Sequence, residues 1–137
     1  MKYFVLDASV WVARLVPQDE FHQAVKDWMA YQREEDGQFV SPSLLLAEVA
    51  GAISRRTNAS FGRRALHQLS ILPGLRIVEM KNALLQAAAG LAANLGLRGA
   101  DSVYVAVAKQ LDIPLLTLDI EQKERASPEI EIAEFHL

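Results

Sequence analysis

The most constraining feature of this chain is a pair of short β-rich runs, Lys2 to Leu6 and Leu115 to Leu118, each ending directly on an aspartate, Asp7 and Asp119. The second run is apolar but for Thr117, the pattern of a strand buried on both faces. Helical patterns separate the strand-like segments. That alternation predicts a mainly parallel sheet covered on both sides, because parallel neighbours need long crossovers. Ligands on such sheets sit at the carboxyl ends of the strands, where both aspartates fall.

The intervening pattern divides into discrete elements. Ala8 to Val16 reads as a helix closed by Pro17, and Asp19 to Glu35 as an amphipathic helix with Phe21, Val25, Trp28 and Met29 on one side. Asp36-Gly37 turns the chain into a short strand, Phe39-Val40, and Ser41-Pro42 is read as the opening of a helix that runs to about Arg56. Ser60 to Leu72 supplies another helix before Pro73-Gly74, then a strand from Leu75 to Glu79. The helix Ala83 to Leu95 is expected to be capped by Gly96, with Gly90 inside it suggesting close packing. Ala100 to Leu111 is the next helix, and Ile130 to Phe135 a candidate last strand.

With 137 residues, 51% of them hydrophobic, one domain spanning residues 1–137 can bury a core without metal or disulfide staples. The chain has no cysteine, which removes thiolate metal sites and a thiol nucleophile and is compatible with a reducing cytoplasm. Its N-terminal apolar run is too short for a signal segment or a membrane span, so a cytoplasmic protein with no membrane association is expected. The formal net charge is −3, yet between Gly37 and Val78 the single acid Glu48 faces Arg55, Arg56, Arg63, Arg64 and Arg76. The middle third is locally basic. A solvated helical corner is the ordinary reading of such a cluster.

Glu48 is the only charged side chain from Leu44 to Ile53, and its neighbours three and four positions away are Leu44, Leu45, Gly51 and Ala52. A carboxylate there loses solvation and needs a cation, donors or a raised pKa; pairing with Arg98 is one solution. Asp7, Asp101 and Asp119 each stand at the start of a helical or turn segment, where capping accounts for an aspartate taken alone. Convergence of all four acids would be different, because close like charges are stable only around something positive. Oxygen ligands alone select a hard ion such as Mg²⁺ or Mn²⁺.

The ordered set Asp7-Ala8-Ser9, Glu48 in a Leu/Ala-rich helix, Arg98-Gly99-Ala100-Asp101-Ser102-Val103-Tyr104-Val105-Ala106 and Leu116-Thr117-Leu118-Asp119 resembles the PIN-domain ribonucleases, in particular the single-domain VapC-type toxins of toxin–antitoxin pairs. The resemblance covers essentially the whole chain. It implies a PIN-like three-layer α/β/α sandwich and a metal-binding, catalytic quartet of Asp7, Glu48, Asp101 and Asp119. Ser9 and Thr117 match the polar companions that orient carboxylates or waters. One or two Mg²⁺ or Mn²⁺ ions per site are implied, with Glu121 or Glu124 as candidates for a further ligand. The implied reaction is hydrolysis of an RNA phosphodiester to a 5′-phosphate and a 3′-hydroxyl, with an RNA substrate, a VapB-type antitoxin and a homodimeric state.

Arg55, Arg56, Arg63, Arg64 and Arg98 then become candidate phosphate contacts, and neutralising the four site acids turns the net charge slightly positive. His22, His67 and His136 show no ligand spacing and read as surface or structural residues. Trp11, Trp28 and Tyr31 read as core or interface, with Val10, Trp11, Leu15 and Trp28 as apolar candidates for a partner surface. The alternative with the same fold is a catalytically inactive RNA-binding or scaffold module. A phosphatase with an aspartyl nucleophile normally carries a second Asp two residues on, where this chain has Ser9. A flap-type DNA nuclease needs extra clamping helices, for which the chain is short.

Overall fold

Residues 1–134 are described by the computed structural model. They contain four strands, β1 (Lys2–Leu6), β2 (Gly37–Pro42), β3 (Leu75–Val78) and β4 (Leu115–Leu116), all parallel, in the spatial order β3-β2-β1-β4. The helices are α1 (Ala8–Leu15), α2 (His22–Glu34), α3 (Leu44–Arg56), α4 (Ala59–Ile71), α5 (Asn82–Leu95), α6 (Gly99–Leu111) and α7 (Ile120–Ala126). The chain thus adopts the α/β arrangement with a parallel sheet that its sequence leads one to expect. It travels outward from β1 to β3, then crosses back to place β4 on the other side of β1. The reversal lies between β1 and β4, the position at which open α/β sheets form their ligand crevice.

Helix α6 explains the apolar Ser102-to-Ala108 stretch: all seven residues are buried, and the helix packs on α5 and on β1, β2 and β4. Helix α1 likewise buries Val10 to Ala13 between α2 and α3. Val10 and Trp11 are therefore core residues and cannot form a partner surface. Trp28 is half-buried in an aromatic cluster with Phe4 and Phe39, centroids 5.0 and 5.9 Å away, whereas Tyr31 is exposed.

Ser41-Pro42 does not open a helix but completes β2, pairing with Ile77 and Val78, and α3 starts at Leu44. The reason is the buried Ser41 hydroxyl, which donates to the Leu6 carbonyl at 2.6 Å and accepts from Trp11 Nε1–H at 3.1 Å. Proline at a strand end sacrifices no ladder donor. The strand expected over Leu115 to Leu118 stops at Leu116, because its partner β1 ends at Leu6, the residue opposite Leu116. The short polar segment after Asp119 is a helix of two turns, α7.

Gly96 ends α5 at φ 68°, the left-handed conformation that favours glycine. Gly90, by contrast, is exposed with nothing within 4 Å of where a side chain would start, so it does not mediate close packing. In place of the expected last strand, Ile132 makes an isolated parallel bridge to Leu115; Phe135 and His136 lie outside the described residues.

The Ser41 junction joins β1, β2 and α1 through one hydroxyl. Ser41→Ala leaves the Trp11 N–H without its buried acceptor, an expected loss of about 1–3 kcal/mol in urea denaturation with unchanged circular dichroism.

Candidate active site

Asp7 is the centre of the site. It directly follows β1 and caps α1, its Oδ1 accepting from Val10 N–H at 3.3 Å. The same oxygen accepts from Ser9 Oγ at 2.6 Å, and Oδ2 accepts from Thr117 Oγ1 at 2.5 Å. A carboxylate has about four lone-pair positions, so three donors leave roughly one free, on Oδ2. Ser9 Oγ also accepts from Leu118 N–H at 3.0 Å, and Thr117 Oγ1 from Asp119 N–H at 3.1 Å. The two hydroxyls therefore knit the end of β1 to the segment leaving β4.

Asp119 repeats the arrangement at the second strand end, capping α7 by accepting from Gln122 N–H at 3.2 Å. Capping and site formation are not competing explanations for Asp7 and Asp119, since each aspartate does the first while facing the crevice. Asp101 differs: it lies in the first turn of α6, whose N-cap is Arg98, and it caps nothing. Glu48 projects from α3, and its Oε1 accepts from the buried Tyr104 hydroxyl at 2.6 Å. The expected Glu48–Arg98 pairing is thus replaced by Tyr104; Arg98 instead sits beside Asp101 and favours its ionised form.

The four acids interact electrostatically. Burial pushes the Asp7 carboxyl up to about 6, against the hydrogen bonds from Ser9, Thr117 and Val10 and with a smaller contribution from Asp101. Asp101 is also raised, by burial and then by Asp119 and Glu48, with Glu121 adding to the effect. The Tyr104 hydroxyl is held protonated by burial, by its bond to Glu48 and by the nearby charges of Glu48, Asp7 and Asp101. These couplings bring carboxyl groups from β1, α3, α6 and the β4–α7 junction into one region.

Two residues of this region carry no signal of their own in the sequence. Tyr104 reads as part of an apolar helix, three residues after Asp101. Gln122 reads as part of an exposed polar turn, yet it is buried: its Nε2 donates to the Asp101 carbonyl at 3.4 Å and its Oε1 stands 2.9 Å from Thr117 Oγ1. Thr117 has one proton and two acceptors, Asp7 and Gln122. A protonated Asp7 relieves that competition by donating to Thr117, which then donates to Gln122.

A cleft of about 590 Å³ opens beside the acids, and its polar lining comprises Ser9, Glu48, Asp19, Glu20, Arg55 and Arg56. Glu48, Ala52 and Arg55 line it from one face of α3, at the i, i+4, i+7 spacing. Arg56 is ion-paired with Asp19 at 3.0 Å. Arg64 lines a second cavity and stands over the Phe61 ring, 5.1 Å from its centroid, while Arg63 is exposed on α4. Glu121 lines a small recess with Arg98, Asp101 and Asp119 but is paired with Arg125 at 3.0 Å; Glu124 is exposed. His22 is occupied at Nδ1 by the Ala13 carbonyl, 2.8 Å away, and His67 is exposed.

The donor set suits a hard divalent cation in kind: carboxylate oxygens, one with a free lone-pair position, in a partly desolvated cluster of like charge. Among the described residues, no three acidic or histidine side chains already stand close enough to share one ion. The carboxylates would have to draw together around it.

The PIN domain family profile matches residues 4–128 of the chain. No curated protein matches significantly. Among solved structures, VapC20 of Mycobacterium tuberculosis, a sarcin–ricin loop cleaving toxin, aligns with TM-score 0.79 at 17% identity over 96% of this chain and 99% of that one. FitAcB of Neisseria gonorrhoeae aligns with TM-score 0.68 at 23% identity over 96% of each chain. VapBC2 of Rickettsia felis, bound to a DNA fragment from its promoter, aligns with TM-score 0.70 at 15% identity over 98% and 99%. At these identities the likeness is one of fold.

The raised Asp7 group sets a pH dependence. The folded state binds a proton that the unfolded state has released between about pH 4 and 6, so stability of the metal-free protein falls as pH rises through that window. Denaturation without metal should give roughly 1 kcal/mol more stability at pH 5 than at pH 7.5 from this group. Asp7→Asn should remove that part of the slope.

Proposed function

This chain belongs to the PIN domain family, and from that premise we propose that it is a Mg²⁺- or Mn²⁺-dependent endoribonuclease, the toxin of a VapBC-type toxin–antitoxin pair. The observation that carries the reading is the placement of four carboxyl groups from separate elements around the β1–β4 crevice, beside a cleft whose lining includes Arg55 and Arg56. Asp7 and Asp119 are occupied as caps, but capping gives no reason for Asp101 and Glu48 to face the same crevice.

Asp7, Glu48, Asp101 and Asp119 would hold one or two ions. When bound, the metal supplies polarisation of a water and of the scissile phosphate for in-line hydrolysis. The chain's own residues do the positioning. Ser9 and Thr117 fix both oxygens of Asp7, and Tyr104 fixes Oε1 of Glu48. Arg55 and Arg56 place positive charge where an RNA backbone leaving the acids would pass, and Arg63, Arg64 and Arg98 extend that field. The products expected are a 5′-phosphate and a 3′-hydroxyl.

The toxin assignment is supported by the company of the fold: the neighbours include a loop-cleaving toxin and a VapBC assembly on promoter DNA. A VapB-type antitoxin and a homodimeric state follow from the same analogy, as does action in the cytoplasm. No helix among the described residues is long and apolar enough to cross a membrane.

Cleavage of pooled structured and single-stranded RNA is the test. Activity with Mn²⁺ should disappear with EDTA and in folded Asp7→Asn and Asp101→Asn variants, and Thr117→Val should lower it by about 10- to 100-fold. Cleavage that persists in EDTA, or in both folded aspartate variants, would overturn the reading. Binding of RNA without cleavage under any metal would favour an inactive RNA-binding module.

A further inference from the structure

Beyond the carboxylate cleft lies a second cavity, of about 490 Å³, a volume in the range of small-ligand sites. The two share Arg56, so the second continues the first where α3 ends. Its lining combines three kinds of group. Leu15 is among its apolar residues, Gln18 and Gln68 offer amide edges, and Phe61 with Arg64 forms a stacked pair. Among the described residues two arginines and no acidic side chain line it.

Phe61 is 46% exposed on the first turn of α4 and lines the cavity, so its ring is open to a ligand there. Its backbone is anchored there, since its N–H donates to the capping Asn58 side chain at 3.0 Å. The Arg64 guanidinium lies over the ring at 5.1 Å, which makes a broad flat surface of delocalised electrons and positive charge. Every nucleobase has a face that stacks on such a platform, and amides can pair with its edge.

We propose that this cavity is a nucleobase subsite: it receives one unpaired base of the RNA substrate on the Phe61–Arg64 platform, with the adjoining phosphate on Arg56. The inference rests on the ribonuclease reading and adds to it the class of substrate, a segment with an unstacked base. Glu48 and Arg56 are eight residues apart on α3, about 12 Å by helix rise. At about 3.4 Å per stacked step, the captured base lies a few nucleotides from the scissile bond. Arg56 is 43% exposed and uses one guanidinium N–H on Asp19, so it can keep that pair and still offer other N–H groups to a phosphate.

The test is fluorescence anisotropy of a labelled single-stranded RNA octamer series, with Mg²⁺, on an Asp101→Asn background that leaves the RNA intact. Phe61→Ala should weaken binding of the best octamer by about 5- to 100-fold with unchanged circular dichroism, and Phe61→Trp should restore it. Arg56→Gln should weaken binding and flatten its salt dependence, which Phe61→Ala should leave unchanged. An octamer bound equally well by Phe61→Ala and the parent protein would overturn the subsite, and is the result expected if the groove receives a protein segment instead. An active parent enzyme would leave the ribonuclease reading standing in that case; absence of RNA cleavage by the parent would remove both.

Discussion

The burial of one carboxyl group, Asp7, is the constraint on which the rest of the site depends. An isolated carboxylate in that position would be costly, and burial indeed holds the group well above the usual carboxylate range. Three donors offset part of the cost, and each comes with a structural consequence. Val10 N–H ties the carboxyl to α1, Ser9 ties it to the turn that follows β1, and Thr117 ties it to the exit of β4. One side chain thus joins the two strands that flank the topological reversal.

From that point the architecture spreads by hydrogen bonds that run outward in pairs. Thr117 holds Asp119 N–H, Asp119 holds Gln122 N–H, and Gln122 reaches the Asp101 carbonyl. The first turn of α6 is set relative to β4 by this chain. On the other side, Tyr104 passes from the buried core of α6 to Glu48 on α3. One chain of hydrogen bonds thus holds Asp7, Asp119 and the backbone of Asp101, and a separate bond from Tyr104 holds Glu48. The like charges raise the affinity of Asp101 for a proton, which is also how a cluster prepared for a cation behaves without one.

Much of this is visible in the residue order. The alternation of strand and helix, the Asp at each strand end and the glycine after α5 all have local causes, and the structure has a strand or helix where nearly every such segment was expected. The differences fall where a tertiary contact overrides a local rule. Ser41-Pro42 looks like a helix start but is strand, because its hydroxyl is captured by Leu6 and Trp11. Gly90 looks like a packing glycine but faces open space. Gln122 and Tyr104 were invisible as site residues, since nothing in a polar turn or an apolar helix marks one residue as the one turned inward.

The sequence by itself determined the parallel α/β class and the four acids that stand out against their surroundings, because strand burial, helix period and capping are set within a few residues. Only the tertiary structure decided which groups those acids meet: Tyr104 rather than Arg98 for Glu48, Thr117 and Gln122 beside Asp7, and Asp19 for Arg56. The strand order decided it too, since returning β4 to the far side of β1 brings residues more than a hundred positions apart into hydrogen-bonding contact. Such pairings depend on distances in space, and a linear pattern of residues carries no record of them.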